Sequence, residues 1–354
     1  MRPAALLLLA GCGAEYAIAP VDVHPAEIVE CPFEPVDGAP ELERYACNPV
    51  FVATGEPWAE TLTGFTFGRT YVLDHPFYQV WYFATGDDGP RAGYATSPDG
   101  TAWTPHADNP RWPSVAADAW DGGLVQRPAV AWDPVLGQYV MLYGGISRDR
   151  EFFGLGVATS LDGHEWVHTP TNPVIDLRLR FGGAAIAWPM TLDIDGDGRI
   201  SAWLAATEDD EHLGMYRYTT DDPLSWRTAG QLELAPGKRD DFDDQGFLSA
   251  AVAELDGVKY LFYVGFGRWE EEPATGIRIS RDSFVGLATS RDGGETWERE
   301  GTEPLPIHVA EEGAVSAITA QVVGSRILLW VTDSYPELGV TGVGSFVYTP
   351  GGAR

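Results

Sequence analysis

A short phrase that recurs along the chain constrains its fold more than any other feature. It reads GYATSPDGTAW at 93–103, GVATSLDGHEW at 156–166 and GLATSRDGGETW at 286–297, with a weaker copy, GMYRYTTDDPLSW, at 214–226. The aspartates at the matching place are separated by 63, 60 and 70 residues: Asp99, Asp162, Asp222 and Asp292. A regular period of this size predicts a repeat architecture.

Each copy of the phrase predicts a strand, a tight turn and a second strand. Residues 93–97 alternate small or apolar with polar side chains, which is the strand period of two. Asp-Gly suits the turn because Asp bonds backbone N–H groups and Gly accepts a positive φ. A tryptophan follows every turn and is placed to pack beneath it: Trp103, Trp166, Trp226 and Trp297. The simplest interpretation of the phrase is a stabilised hairpin that needs no chemistry.

Two further strands precede the phrase, as the segments 65–86, 126–145 and 250–265 show. Four short strands in one repeat correspond to one blade of a β-propeller, and 48–350 has room for five such units. We therefore predict an all-β, five-bladed β-propeller with four-stranded blades. The predicted inner strands lie at about 65–73, 127–133, 185–193, 247–255 and 314–322.

The phrase is followed by Asn109-Pro110 or Asn172-Pro173, and Trp120-Asp121 precedes the next inner strand. This combination resembles the five-bladed propeller superfamily of arabinanases, levansucrases, invertases and mannoside phosphorylases, which includes glycoside hydrolase families 43, 32 and 130. The resemblance covers roughly 48–350 and implies activity on carbohydrate. Residues 290–297 also resemble the Asp-box of sialidases, but no Arg-Ile-Pro segment stands near the start of the chain, so a sialidase-like enzyme is the third hypothesis.

The charge balance limits the partners. A net charge of −29, from 23 basic and 52 acidic residues, argues against nucleic acid and against adsorption to anionic lipid. General solubility explains the charge equally well, so it names no partner by itself.

The N-terminus has the pattern of an exported lipoprotein. Residues 1–11 carry one positive charge and a short apolar run, and 9–12 resemble the lipobox of bacterial lipoproteins. The resemblance implies a signal peptide at 1–11, cleavage before Cys12 and acylation of its sulfur. The apolar run is too short to span a bilayer. We therefore expect a protein of the bacterial cell envelope, at the outer membrane or cell surface, attached to the membrane only through its lipid.

Two cysteines remain after Cys12. An even pair in an exported protein predicts a disulfide between Cys31 and Cys47, with two free thiols as the alternative. The pair lies in a segment, 12–47, that is rich in Pro, Ala and acidic residues and that we predict to be a tether before a propeller at 48–350.

Ligands of a propeller meet the mouth of the central channel where the inner strands begin. The carboxylates just before those strands are Glu60, Asp121, Asp243, Asp244, Glu311 and Glu312. Because glycosidases use two carboxylates at roughly 5–9.5 Å, this acidic collar could be catalytic. We take Glu60, Asp121, Asp244 and Glu312 as its candidate catalytic residues. The alternative is a repeated turn of an aromatic residue followed by an acid, as in Trp120-Asp121 and Phe242-Asp243.

Two departures from the superfamily keep an enzyme and a binding protein open as hypotheses. Residues 62–65, Leu-Thr-Gly-Phe, stand where the first blade of family 43 carries its aspartate base. Glu312-Gly313-Ala314 resembles the segment of the general acid, but it falls in the fifth blade instead of the third. The first hypothesis is a glycoside hydrolase-like, carbohydrate-active propeller. The second is a catalytically silent propeller that binds a glycan or a protein at the cell surface.

Further side chains at the same rim suit a sugar. The flat rings of Trp58, Trp120, Phe242 and Trp269 could cover pyranose C–H groups, and Arg127 could bind a hydroxyl, carboxylate or phosphate. The histidines show no metal-ligand spacing, so we do not expect zinc.

A calcium loop is the better metal candidate. Asp193, Asp195 and Asp197 alternate in DIDGDGRI, as in the first half of an EF-hand loop. Leu204 replaces the glutamate at the twelfth position, and the flanks read as strands. The segment is therefore a β-hairpin loop that either binds structural Ca²⁺ or is an acidic turn without metal.

Overall fold

A computed structural model of the chain describes residues 31–52, 56–59, 61–72, 75–86, 89–110, 119–149, 151, 153–177, 180–181, 184–207, 212–226, 230–267, 269–271, 278–280, 283–307, 315–335 and 340–351. All regular secondary-structure elements in these ranges are β-strands, and turns connect them. The described residues contain no helix that is long and apolar enough to cross a membrane.

The strands are numbered in chain order. The first three are β1 (Phe33–Val36), β2 (Ala39–Tyr45) and β3 (Phe51–Val52). Blade 1 is the antiparallel sheet of β4 (Thr61–Val72), β5 (His75–Gly86), β6 (Gly89–Ser97) and β7 (Thr104–Pro105). Blade 2 consists of β8 (Leu124–Asp133), β9 (Gln138–Ile146), β10 (Phe153–Ser160) and β11 (Val167–His168), with β12 (Ile175–Asp176) also paired to β10.

Blades 3 and 4 follow the same order. Blade 3 consists of β13 (Arg180–Phe181), β14 (Ala184–Ile194), β15 (Ile200–Thr207), β16 (Gly214–Thr220) and β17 (Gln231–Leu234). Blade 4 consists of β18 (Gly246–Leu255), β19 (Val258–Phe266), β22 (Ser283–Ser290) and β23 (Glu298–Arg299), and it carries a hairpin of β20 (Trp269–Glu271) and β21 (Arg278–Ser280).

Blade 5 is built from both ends of the chain. From the channel outwards, its first three strands are β24 (Ile318–Val323), β25 (Arg326–Tyr335) and β26 (Val340–Tyr348). Its last two strands are β2 and β1. Leu42 of β2 stands opposite Tyr348 of β26, and β3 pairs with β26 as well. The propeller therefore begins before residue 48, within the segment for which the sequence predicts a tether.

The five inner strands form a closed ring. Contacts run from β4 to β8, β14, β18 and β24 in turn, and from β24 back to β4. This confirms the predicted five-bladed, all-β architecture, and the inner strands lie within a few residues of the predicted positions. Ring closure places each inner strand beside the inner strands of the neighbouring blades, and the N-terminal strands cover the outer edge of blade 5.

The repeated phrase forms the turn that the sequence predicts. In blade 1, Ser97 Oγ donates to Asp99 Oδ1 at 2.9 Å. The same carboxylate oxygen accepts the backbone N–H groups of Thr101 and Ala102, each at 2.8 Å. Gly100 takes φ +82°, in the left-handed region that favours glycine. The aspartate thus closes a hairpin turn.

The turns also connect neighbouring blades. Trp103 packs under its own turn, with Nε1 donating to the Gly100 carbonyl oxygen at 3.2 Å. Trp330 of blade 5 donates to the same oxygen at 3.2 Å, and Trp81 of blade 1 donates to the Gly163 carbonyl of blade 2. The turns of the repeated phrase therefore accept hydrogen bonds from neighbouring blades as well as closing their own hairpins.

An asparagine clasp recurs outside the third strand of three blades. Asn109 Oδ1 accepts the backbone N–H of Tyr94 at 3.0 Å and its Nδ2 donates to the Tyr94 carbonyl at 3.0 Å. Asn172 makes the same pair of bonds to Val157 in blade 2. In blade 5 the clasp comes from the N-terminal segment, where Asn48 bonds the backbone of Ser345. Each of these asparagines precedes a cis-proline.

Candidate functional site: the two ends of the central channel

The inner strands are bulged where they begin. Register shifts interrupt the pairing of β4 at Leu62/Gly64, of β8 at Gln126/Ala129, of β14 at Ile186/Trp188 and of β18 at Phe247/Ser249. A bulge bends a strand and re-aims the side chain at that position, and such bulges are over-represented next to active sites. We call this end of the channel the strand-start mouth.

Arg127 crosses the strand-start mouth. It lies in the bulge of blade 2 with φ +53°, and its Nη1 donates to the Leu248 carbonyl oxygen of blade 4 at 2.5 Å. Its guanidinium carbon lies 4.8 Å from the ring centre of Trp188 in blade 3, and Trp188 Nε1 donates to the same carbonyl at 3.1 Å. A contact between blades 2 and 4 that passes over blade 3 must span the channel.

The charge on Arg127 is held by neutral groups. Burial lowers the pKa of Arg127 to about 10, which still leaves the guanidinium charged at neutral pH. Its described partners are a carbonyl oxygen and an indole ring. The mouth therefore presents a positive charge with an aromatic face beside it, which suits hydroxyl or carboxylate groups of a ligand.

Two carboxylates of the predicted collar turn into the blades. Asp121 is only 5% exposed and accepts the hydroxyl of Tyr143 at 2.9 Å. Burial and the Asp121 charge raise the pKa of Tyr143, so the phenol keeps its proton and remains the donor. The carboxylate thus has a structural partner inside its own blade.

The same arrangement recurs in blade 4. Asp243 is 1% exposed and accepts Arg299 Nε at 3.1 Å and Nη2 at 2.9 Å. Both acids sit over a glycine of the second strand, because a Cβ at Gly145 or Gly265 would lie 2.7 or 2.4 Å from the Cβ of Asp121 or Asp243. The aromatic-acid turn is therefore a repeated structural element, and Asp243 is the counterpart of Asp121.

The Asp244 carboxylate has different hydrogen-bond partners from that of Asp243. It is half-buried, and its carboxylate accepts the backbone N–H of Asp240 at 3.0 Å and Gln245 Nε2 at 3.1 Å. Glu60 and Glu312 lie outside the described residues. The convergence of the four candidate carboxylates on one mouth stays a prediction.

The predicted aromatic platform is largely packed against tyrosines. Trp58 stacks on Tyr82 with ring centres 5.9 Å apart, Trp120 lies 5.8 Å from Tyr143, and Phe242 stacks on Tyr263 at 6.1 Å. All three rings are half-buried, so each keeps some accessible surface. Trp269 belongs to β20, and its side chain lies outside the described part of the structure.

The other end of the channel widens into a cavity of about 640 Å³. Its wall comes from the inner strands of all five blades: 66–68, 130–132, 191–194, 251–252 and 319–321. Leu161 and Asp162 of the blade 2 turn add to the wall, and both are exposed. We call this the turn-side cavity.

The acidic loop of blade 3 closes a hairpin at this end. Asp195 Oδ1 accepts the backbone N–H groups of Asp197 at 3.0 Å and Arg199 at 2.9 Å. Asp193 borders the cavity, and its pKa is raised because the surrounding protein displaces water, with Lys259 opposing the rise. Among the described residues no group of three His, Cys, Asp or Glu side chains is arranged to hold a metal. The calcium site stays a prediction.

The cysteine pairing is as predicted. Cys31 and Cys47 are disulfide-bonded, and the bond flanks the strands that complete blade 5. Cys12 lies outside the described residues, so its lipidation is untested.

Solved structures with a similar fold include glycoside hydrolases. A thermostable family-43 glycoside hydrolase is 16% identical, with a TM-score of 0.58 over 82% of this chain and 91% of its own. A glycosyl hydrolase from Bacteroides ovatus is 18% identical, with a TM-score of 0.57 over 90% of this chain and 94% of its own.

An exo-β-1,3-galactanase from Phanerochaete chrysosporium, solved with β-1,3-galactotriose, is 12% identical at a TM-score of 0.53. The match covers 80% of this chain and 59% of the galactanase. At these identities the likeness establishes the fold. No protein-family profile matches the sequence, and no curated protein does either.

Sequence reasoning missed three features of the channel. Trp188 and the Leu248 carbonyl were not among the candidates, because their role depends on Arg127 reaching across the ring. The turn-side cavity was missed because most of its wall residues lie within the inner strands, whereas the candidate residues precede those strands. An exposed tryptophan near a hairpin turn, Trp132, was the available signal.

Proposed function

We propose that this protein is a carbohydrate-active propeller that takes a glycan outside the cytoplasm at the strand-start mouth. The observation that carries the proposal is Arg127 held across the mouth over the Trp188 ring. A fixed guanidinium offers hydrogen-bond donors to sugar oxygens, and a neighbouring indole offers a flat apolar face. The fold shared with glycoside hydrolases supports the same ligand class.

Whether the glycan is cleaved or only bound depends on the carboxylates. The partners of Asp121 and Asp243 favour a structural role for these two acids. Catalysis would therefore depend on Asp244 together with Glu60 or Glu312, at the separations that glycosidases use. If those residues do not act, the protein is a glycan-binding propeller without turnover.

The deciding experiment measures binding and hydrolysis separately. The purified domain is titrated by calorimetry with a panel of oligosaccharides that includes β-1,3-galactotriose, the sugar in the galactanase structure. Release of reducing ends is followed on the same panel and on aryl glycosides. Hydrolysis that disappears in Glu60→Gln or Glu312→Gln supports an enzyme, and binding without hydrolysis supports the silent alternative.

Arg127→Met provides the site-specific test, with Arg326→Met as its control. Arg326 is exposed and pairs with Glu43 on the surface, at 3.3 Å, away from the mouth. We expect Arg127→Met to weaken glycan binding at least tenfold and Arg326→Met to leave it unchanged. Absence of binding to every sugar of the panel would overturn the proposal.

We further propose that the chain is lipid-anchored through Cys12 in the bacterial cell envelope and that the 193–199 loop binds structural Ca²⁺. The lipobox-like residues 9–12 and the acidic spacing support these proposals. Mass spectrometry of the native protein tests the lipid. A calcium-dependent rise in melting temperature that Asp195→Ala abolishes tests the ion.

A further inference from the structure

The turn-side cavity is separate from the strand-start mouth. The residues that form the Arg127 crossing near the beginnings of the inner strands, Arg127, Trp188 and Leu248, are not among the described residues that line the cavity. A volume of about 640 Å³ falls within the usual range of small-molecule sites, which is about 300–1,000 Å³. The cavity is therefore large enough for a ligand of its own.

An aromatic and an acidic side chain line this cavity at matching strand positions, Trp132 and Asp193. In each blade the inner strand and the second strand form a hairpin, and the next-to-last residue pair before its turn is a comparable position. It is occupied by Trp132 in blade 2, Asp193 in blade 3 and Glu254 in blade 4. All three side chains are exposed at that position, while the residue that follows each is buried. Val322 holds the same position in blade 5.

The Trp132 ring is exposed yet held in place. It is 47% exposed, and it meets Tyr139 edge-on, with ring centres 4.9 Å apart and planes at 70°. Tyr139 is fixed in turn, since its hydroxyl donates to Gln79 Oε1 at 2.8 Å. Gln79 is buried and donates to the Tyr94 hydroxyl at 2.7 Å. An exposed, oriented indole at a cavity mouth is the usual platform for a flat ligand.

The charges and hydroxyls of the wall define the chemistry of that ligand. The described wall residues include two carboxylates, Asp162 and Asp193, and no Lys, Arg or His. An anionic ligand would therefore be repelled. Thr191 and Thr319 add hydroxyl groups, and the Thr319 Oγ1 atom is buried with no hydrogen-bond partner in the described part of the chain. A buried polar atom of this kind is satisfied when a ligand or water supplies the partner.

We propose that the turn-side cavity binds a neutral saccharide unit. One face of the pyranose ring packs on Trp132, and its hydroxyl groups donate to the Asp193 carboxylate and exchange hydrogen bonds with Thr319. Neutral sugars match this wall because they combine apolar C–H faces with many hydroxyl donors and carry no negative charge. The site shares only its ligand class with the proposed function and lies on the other side of the Arg127 crossing.

The test is a titration of the unmodified domain followed by ligand-observed NMR. The probes are the methyl pyranosides of glucose, galactose, mannose and xylose, with glucosamine as the cationic probe and glucuronate as the anionic one. The variants are Trp132→Ala and Thr319→Val. Leu136→Ala is the matched control, because Leu136 is 61% exposed in the turn of the same hairpin and is not a residue of the cavity wall.

We expect at least one neutral pyranoside to bind and glucuronate not to bind. Trp132→Ala should weaken the binding about tenfold, Thr319→Val several-fold, and Leu136→Ala less than twofold. Arg326→Met should leave it unchanged as well, and pyranoside binding by a domain that binds no oligosaccharide of the panel would distinguish failure at the strand-start mouth from failure here. The proposal is overturned if no neutral pyranoside binds, if Trp132→Ala binds as the unmodified domain does, or if glucosamine alone binds and Asp193→Asn abolishes that binding.

Discussion

Arg127 and Leu248 lie in blades 2 and 4, yet Nη1 of the arginine donates to the main-chain carbonyl oxygen of the leucine at 2.5 Å. The bond joins two blades that are not neighbours in the ring. It therefore resists any relative movement of the inner strands on either side of blade 3, in addition to lining the strand-start mouth.

Replacing Arg127 by methionine should destabilise the propeller by about 2 kcal/mol, the value typical of a hydrogen bond to a charged group. Arg127→Lys should recover only part of this, because an ammonium lacks the planar surface that stacks on Trp188. Chemical denaturation provides the measurement. Equal midpoints for Arg127→Met and the unmodified chain would show that the crossing is dispensable for stability.

The buried ion pair of Arg299 and Asp243 should contribute more to the stability of the fold than an exposed ion pair does. Arg299→Met leaves a carboxylate that is 1% exposed without its guanidinium, and we expect a loss of about 3 kcal/mol. Arg326→Met, at the exposed pair with Glu43, should cost less than about 1 kcal/mol. The double variant Asp243→Asn with Arg299→Met should be more stable than Arg299→Met alone. A double variant that is less stable would contradict this account.

The sequence predicts the blades well because their signals are local. The turn of residues 97–103 contains its own hydrogen-bond donors and acceptors, so its recurrence places blades 1 to 4. The outer strands of blade 5 escape prediction because β2 pairs with β26 about 300 residues away, and nothing in 39–45 identifies its partner.

The side chains at the channel are less predictable than the strands. Spacing places acids at Asp243 and Asp244 alike, and although the aromatic-acid pattern already relates Asp243 to Asp121, only the structure shows that both of these acids turn into their blades. A shift of one residue reverses the direction of a side chain, and spacing cannot resolve a shift that small. The reach of Arg127 to another blade depends on ring closure, which no local pattern encodes.

Two buried tryptophans should differ in how much their indole N–H group contributes to the stability of the fold. Trp330 donates to the Gly100 carbonyl at 3.2 Å, whereas Trp203 Nε1 has no hydrogen-bond partner among the residues that the structure describes. The blade 4 turn has one residue more between Asp292 and Trp297 than the blade 1 turn has between its aspartate and tryptophan, which alters the backbone beside blade 3.

Trp330→Phe should therefore cost about 1 kcal/mol more than Trp203→Phe. Both changes remove similar volume from buried positions, so the difference isolates the hydrogen bond. Chemical denaturation of the two variants tests this, and equal losses would contradict it.

The blade 4 turn should make stability depend on acid pH. Hydrogen bonds from the Thr296 side chain and backbone and from Ser290 hold the pKa of Asp292 well below its ordinary value. As the pH falls, the unfolded chain therefore takes up this proton before the folded chain does. The contribution of Asp292 is complete above the unfolded pKa of about 3.9 and is lost below it.

Asp292→Asn should consequently be less stable than the unmodified chain by a constant amount above about pH 5. The gap should narrow as the pH falls below about 4, because the unmodified carboxylate is then being neutralised. Denaturation midpoints of both proteins across this range provide the test. A gap that stays constant down to about pH 2 would contradict the assignment of the lowered pKa to Asp292.

The disulfide between Cys31 and Cys47 should stabilise blade 5 from its outer edge. It closes a loop of 15 residues that contains β1 and β2, and a loop of this length contributes about 3 kcal/mol by restricting the unfolded chain. The double variant Cys31→Ser with Cys47→Ser should lose about that amount and become sensitive to limited proteolysis within 33–45. Without the covalent link, β2 would be held by its three paired positions with β26, by the Thr349 N–H bond to the Glu41 carbonyl and by the Arg326–Glu43 pair. Cys12→Ser should retain full stability, since Cys12 is outside this loop. If reduction changes neither the melting temperature nor the cleavage pattern, pairing with β26 alone is sufficient to close the propeller.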